Sequence, residues 1–145
     1  GFASGNMEYD AAAIRLFVNL GIECFVAQSF SKNLGFYNER LGCLMAVTRT
    51  SEQAVRVQSQ LKSLIRGMYS NPPAHGAKVA AKIMTTPTLF TEWEGEVRLM
   101  SSRLAKMRAL LYDELVKNET PGNWEHLKTQ IGMFTFLGLK EHQVQ

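Results

Sequence analysis

Between Pro87 and about Lys117, the residues Phe90, Trp93, Val97, Met100, Leu104, Met107, Leu111 and Leu115 recur on one helical stripe. At 1.5 Å per residue this predicts a helix of about 45 Å. Within a chain of 145 residues such a rod is too long for one compact body. It is therefore expected to connect two, with Gly95 as a bend point. The segment "RLAKMR", residues 103–108, reads as a solvated face of the same helix, and Trp93 and Trp124 read as packing anchors.

Around this helix the chain alternates elements. "EYDAAAIRLFVNL", residues 8–20, sets Ala11, Ile14, Phe17 and Val18 on one helical face, and Gly21 follows as a stop. "IECFVAQ" is a short run rich in β-branched and aromatic residues, predicted as a buried strand ending at Ser29. "GCLMAVT" predicts a second strand. Thr50 with Gln53 three residues on is a capping box, opening a helix with Ala54, Val57, Leu61, Leu64, Ile65 and Met68 on its face. The prolines of "YSNPP" break it, and Ala77, Ala80, Ile83 and Met84 resume helical spacing. His75 falls in the intervening loop. After the long helix, "NETPGNW" punctuates the chain and "QIGMFTFLGL", residues 130–139, predicts one more strand. The fold class is α/β, partitioned as residues 1–86, a connecting helix over 87–118, and the start of a second body over 119–145.

Composition narrows the function classes. A chain that is 46% hydrophobic and 20% charged can bury a core, and its net charge of +3 comes from scattered residues rather than a basic block. Nothing in that pattern tracks a nucleic-acid backbone. No apolar run is long enough to span a membrane and residues 1–10 lack the regions of a signal peptide. A soluble intracellular setting is expected, cytoplasmic by default, with mitochondrial or plastidic compartments left open. Cys24 and Cys43 lie in separate strand-like runs and are expected as buried free thiols. His75, His126 and His142 lack ligand spacing, so no metal site is expected.

The stretch that carries chemistry is "QSFSKNLGFYNERLG", residues 28–42. It places Lys32 and Arg40 on a strand-to-loop transition between Gly35 and Gly42, with Ser29 and Ser31 beside them. A lysine at a strand end facing a pocket, near a second cation, is the arrangement that a carbonyl-directed nucleophile needs. The planar guanidinium of Arg40 suits a phosphate, and the serines add hydroxyl and backbone donors at the same turn. Together these are the parts of a pyridoxal phosphate site. On spacing alone, a solvated loop lysine beside a surface arginine is the commoner outcome of so short a motif.

The same stretch resembles the cofactor-lysine segment of the class I, fold-type I aspartate aminotransferases, whose form is Ser-Phe-Ser-Lys-Asn-x-Gly-x-Tyr-x-Glu-Arg-x-Gly. Every fixed position is filled. "GFASG", "RGMYSNPPAHGA", "LFTEWEGEVRLMSSR" and "TQIGMF" extend the resemblance along the whole chain in order. Leu34 and Phe36 are exchanged relative to the commoner order, a volume-conserving swap. The resemblance implies the large cofactor-binding domain, a connecting helix and the start of the small domain. It implies that Lys32 holds pyridoxal 5'-phosphate through a Schiff base and then moves the proton between substrate and cofactor. Ser29 and Arg40 would bind the cofactor phosphate, with Ser31 close by.

By the same resemblance, Arg66 would pair with the substrate's side-chain carboxylate, donated across a homodimer interface. Without the family, an arginine ending a helix and complementing its dipole is the simpler reading. Asn71 would lie beside it in the interface loop, and Phe134 near the substrate entrance, where a plain core residue fits equally well. The family's ring-nitrogen aspartate and cofactor-hydroxyl tyrosine are expected upstream of residue 1, and its α-carboxylate arginine beyond residue 145. A central-to-C-terminal piece is implied, inactive alone. The parent activity implied is amino transfer between L-aspartate and 2-oxoglutarate, on amino-acid and 2-oxo-acid substrates. An aromatic or tyrosine aminotransferase, or a non-catalytic dimerisation piece, are the alternatives.

Overall fold

The computed structural model describes residues 2–144 of the chain. It runs α1 (Met7–Asp10), α2 (Ala12–Asn19), β1 (Cys24–Ser29), β2 (Gly42–Val47), α3 (Ser51–Tyr69), α4 (His75–Thr85), α5 (Pro87–Lys117) and α6 (His126–Thr129), and closes with a 3-10 turn at Glu141–Gln143. Local signals set most of these bounds. Asn6 caps α1, its side chain accepting from the Glu8 and Tyr9 N–H groups. The single helix expected over residues 8–20 is instead broken by a turn at Ala11. At the far end of α2, Gly21 adopts φ 68° while its N–H reaches Val18 O and the Ile22 N–H reaches Phe17 O, a Schellman motif. The Thr50–Gln53 capping box forms at the start of α3, and Pro87 occupies the first turn of α5, where its missing N–H is no loss.

β1 and β2 form an antiparallel two-stranded ribbon, registered from Cys24 opposite Val47 to Ser29 opposite Gly42. Its predicted burial is not realised: Phe25, Leu44 and Met45 are exposed. Cys43 is exposed and Cys24 half-buried, both as free thiols. A two-stranded ribbon has two edges and two faces, and of these α3 covers part by packing on β2. The α2 face is likewise open at Ile14, Phe17 and Val18.

The buried centre lies where α4 and α6 pack on α5, at Ala80, Val97 and Leu127. The helix α5 runs without interruption through Gly95. Its packed line differs from the predicted stripe. Phe90, Trp93, Val97, Ser101, Leu104, Arg108, Tyr112 and Leu115 are half-buried or buried, with Leu89 and Glu94 beside them, whereas Met100, Met107 and Leu111 are exposed. A near-heptad apolar pattern drifts by about 20° per heptad around a straight helix, so the contact line moves on by one residue. Two of the polar side chains there find partners: Arg108 backbone carbonyls, Tyr112 the Glu125 carboxylate.

The strand expected over residues 130–139 does not form. No described strand lies alongside to pair with it, and Gly132 and Gly138 take φ of 106° and 68°, outside the strand region. The carbonyls of Gln130, Phe134 and Phe136 bond instead to side chains of Arg108 and His126. His75, expected in a loop, is the first residue of α4.

Candidate functional site

The loop over residues 30–41 is closed at its neck by the ribbon. The Phe30 N–H bonds Leu41 O at 3.0 Å, one step beyond the Ser29–Gly42 pair. Only glycine fits at position 42, because an added Cβ would stand 2.7 Å from Gln28 O. Inside the neck, Ser31 is buried at 6% exposure and its N–H donates to Ser29 Oγ at 3.2 Å. Lys32 opens a turn closed by the Gly35 N–H on its carbonyl, with Gly35 at φ 68°. Leu34 and Phe36 both donate to Phe30 O at 3.3 Å. Buried backbone is thus satisfied within the loop, and the lysine is held at its mouth.

Lys32 Nζ sits 4.5 Å from the Tyr37 ring centroid and 5.7 Å from that of Phe134, within the range of cation–π attraction. It shares with Ser29 and Asn33 a cavity of about 550 Å³, walled on other sides by Asp10 and by residues 131–133. A second cleft adjoins it, lined by Ser29, Ser31 and Arg40. Ser29 belongs to both. Arg40 is a non-glycine residue at φ 50°, in the left-handed region, and its Nη1 donates to Tyr37 O at 3.0 Å. Such a conformation costs of order 1–3 kcal/mol and persists where its surroundings over-determine it. Here α4 contributes: Gly76 abuts Glu39 and Leu41, with no room for a larger residue to enter freely.

Two side chains of α5 tie the loop and the 130–139 segment to one rod. Trp93 Nε1 donates to Asn33 O at 2.8 Å. Arg108 donates from Nη1 to Gln130 O at 2.7 Å and from Nη2 to Phe134 O at 2.9 Å. Neither role was visible in the pattern, where Trp93 read as packing and Arg108 as solvated. Tyr37 stands at a fixed position of the loop pattern, which is the one signal that could have marked it.

Of the residues predicted from sequence, Ser29, Ser31, Lys32, Arg40 and Phe134 are brought together around these two hollows. Arg66 and Asn71 are not. Arg66 Nη1 donates to Ser70 Oγ at 2.7 Å near the end of α3. Ser70 has φ 68° and ψ −59°, and the Asn71 N–H bonds Tyr69 O at 2.8 Å, which together make a γ-turn of the rare, strained kind. The backbone bends sharply there, next to the Asn71 side chain.

The family model for aminotransferase class I and II matches residues 1–145. The chain belongs to that family. A cytoplasmic aspartate aminotransferase of Oryza sativa subsp. japonica is 51% identical over 144 residues, covering 99% of this chain and 35% of that protein. The broad specificity aminotransferase from Leishmania mexicana is similar in structure, with a TM-score of 0.92 at 49% identity, covering 99% of this chain and 35% of that one. An aromatic-amino-acid aminotransferase from Burkholderia pseudomallei, solved covalently bound to pyridoxal phosphate, gives a TM-score of 0.90 at 39% identity, covering 97% and 36%. Names among the similar curated proteins include cytoplasmic, chloroplastic and mitochondrial aspartate aminotransferases. The chain spans about a third of the length of these relatives. The α/β class of the aminotransferase fold, expected from the sequence, is the class found.

Proposed function

We propose that this chain carries the lysine side of an aspartate aminotransferase site, moving an amino group between L-aspartate and 2-oxoglutarate. The observation that carries the reading is that Lys32 and Ser29 line one cavity while Ser29, Ser31 and Arg40 line the cleft adjoining it. The donor set fits pyridoxal phosphate: an amine for its aldehyde, hydroxyls and a guanidinium for its phosphate. When bound, the cofactor supplies the electron sink that amino transfer needs.

Each residue then has a stated task. Lys32 would hold the cofactor through its amine and, once released, would move the proton from the substrate Cα to the cofactor carbon. Ser29, Ser31 and Arg40 grip the phosphate. Arg66, contributed by a second copy in a homodimer, pairs with the substrate's side-chain carboxylate beside Asn71, and Phe134 walls the entrance. The partition into a large-domain part over residues 1–86, a connecting helix over 87–118 and a small-domain start over 119–145 is supported by the unbroken α5. The described helices include none long and apolar enough to cross a membrane, and the names of the relatives leave cytoplasmic, chloroplastic and mitochondrial settings open.

The test is to incubate the purified protein with pyridoxal phosphate, reduce with borohydride and map the adduct by peptide mass. A stoichiometric adduct at Lys32 is expected. Adducts spread over surface lysines, or none, would overturn the reading and favour a non-catalytic structural role. An aromatic aminotransferase is the second reading, favoured by the structural likeness to the Burkholderia pseudomallei enzyme. A kcat/KM for tyrosine above that for aspartate, measured in a full-length enzyme carrying this segment, would select it.

A further inference from the structure

We propose that Arg108 is a positioning residue of the candidate site, setting the place of Phe134 over Lys32 and of the cavity wall at residues 131–133. The inference rests on the reading of Lys32 as the cofactor lysine. It begins from a segment that no ladder or helix holds. Residues 130–140 have no regular structure, so fixing them requires contacts from elsewhere to offset the entropy of ordering. Arg108 provides two such contacts at the two ends of one bend: Nη1 on Gln130 O and Nη2 on Phe134 O. Between them lie Ile131, Gly132 and Met133, which line the Lys32 cavity, with Gly132 at φ 106° turning the chain. Immediately after them, the Phe134 ring reaches 5.7 Å from Lys32 Nζ although Phe134 is 76% exposed.

Exposure that high means packing does not place the ring. The backbone does, and Arg108 holds the backbone. A guanidinium suits this task because its donors form a rigid fork able to take two carbonyls at once, which a lysine's single ammonium cannot match in geometry. Both acceptors are neutral carbonyls, and no salt bridge to Arg108 is found among the described residues. The same helix carries Trp93, which holds Asn33, the neighbour of Lys32. Lysine loop and Phe134 segment are therefore referenced to one rigid α5, and Arg108 is the link on the Phe134 side.

The experiment reads position rather than activity. In the purified full chain freed of cofactor, lysines are reductively 13C-methylated and the Lys32 signal is assigned with Lys32→Arg. Ring currents from Tyr37 and Phe134 are expected to displace that signal. Phe134→Leu removes the Phe134 part of the displacement, and Arg108→Met is expected to remove the same part while the Tyr37 part persists. The double variant should show no further change, and Arg108→Lys only partial recovery, one carbonyl being held. If Arg108→Met fails to fold, Arg108→Gln is read instead. A Lys32 signal unmoved by either Arg108 variant, or shifts that add in the double variant, would overturn the proposal. Borohydride trapping at Lys32 in the loaded wild type reports separately on the cofactor reading. With that reading upheld, in a full-length enzyme carrying this segment Arg108→Met is expected to weaken substrate use through KM more than kcat, with Phe134→Leu reproducing the effect.

Discussion

The Trp93 indole N–H donates to the carbonyl of Asn33 at 2.8 Å across sixty residues of sequence, tying the residue after Lys32 to the second turn of α5. This bond makes a long helix, otherwise a spacer, the support of the lysine loop. Its removal should act on the loop before it acts on the helix.

Trp93→Phe keeps most of the ring and deletes the donor. Leaving the part-buried Asn33 carbonyl unpaired should cost about 1–3 kcal/mol, seen as a lower denaturant midpoint. Pyridoxal phosphate affinity, followed by absorbance, should fall as well. An unchanged affinity at reduced stability would confine Trp93 to packing.

Gly42→Ala and Gly95→Ala should have opposite signs. At Gly42 a Cβ meets Gln28 O at 2.7 Å, so the ribbon must shift at the pair that carries Ser29. Overpacking of this kind costs about 1–3 kcal/mol. At Gly95 nothing lies within 4 Å and the position is in a helix interior, so alanine should stabilise by about 0.5–1 kcal/mol. Thermal unfolding of the two variants checks both signs.

Arg66 and Ser70 hold a strained turn on an exposed surface. Arg66→Ala should therefore change stability little, while in a full-length enzyme carrying this segment kcat/KM for aspartate falls about ten- to a hundredfold through loss of a charged hydrogen bond. Turnover of an aromatic substrate should fall less. Equal losses for the two substrates would remove Arg66 from carboxylate recognition.

The Tyr112 hydroxyl donates to Glu125, linking α5 to the residue before α6. That hydrogen bond, with burial and the charges of Glu125 and Asp113, raises the tyrosine's pKa above its ordinary value. A raised folded pKa means that the bond's stabilisation is fully present below the unfolded value of about 10 and is lost as pH rises through the folded one. The melting-temperature gap between wild type and Tyr112→Phe should hold at neutral pH and close above that range. No gap at neutral pH would show that the hydroxyl contributes nothing, and a gap that persists unchanged above that range would show that its contribution does not depend on the proton.

The amino-acid sequence by itself determined the features that are local. The Thr50–Gln53 box, Pro87 opening α5 and the Gly21 stop each act through backbone groups a few residues away, so their outcome is written in short stretches. The residues of the lysine loop that meet at the two hollows were legible in the same way, because a closed ribbon neck forces residues 30–41 to share one place. Only the tertiary structure decided which face of α5 is packed, since Ser101, Arg108 and Tyr112 displace Met100, Met107 and Leu111 through helix twist and, for Arg108 and Tyr112, polar partners farther along the chain. It likewise decided that residues 130–139 stay irregular. Their β-forming composition had no strand to pair with, and Arg108 and His126 took up carbonyls that a ladder would have used.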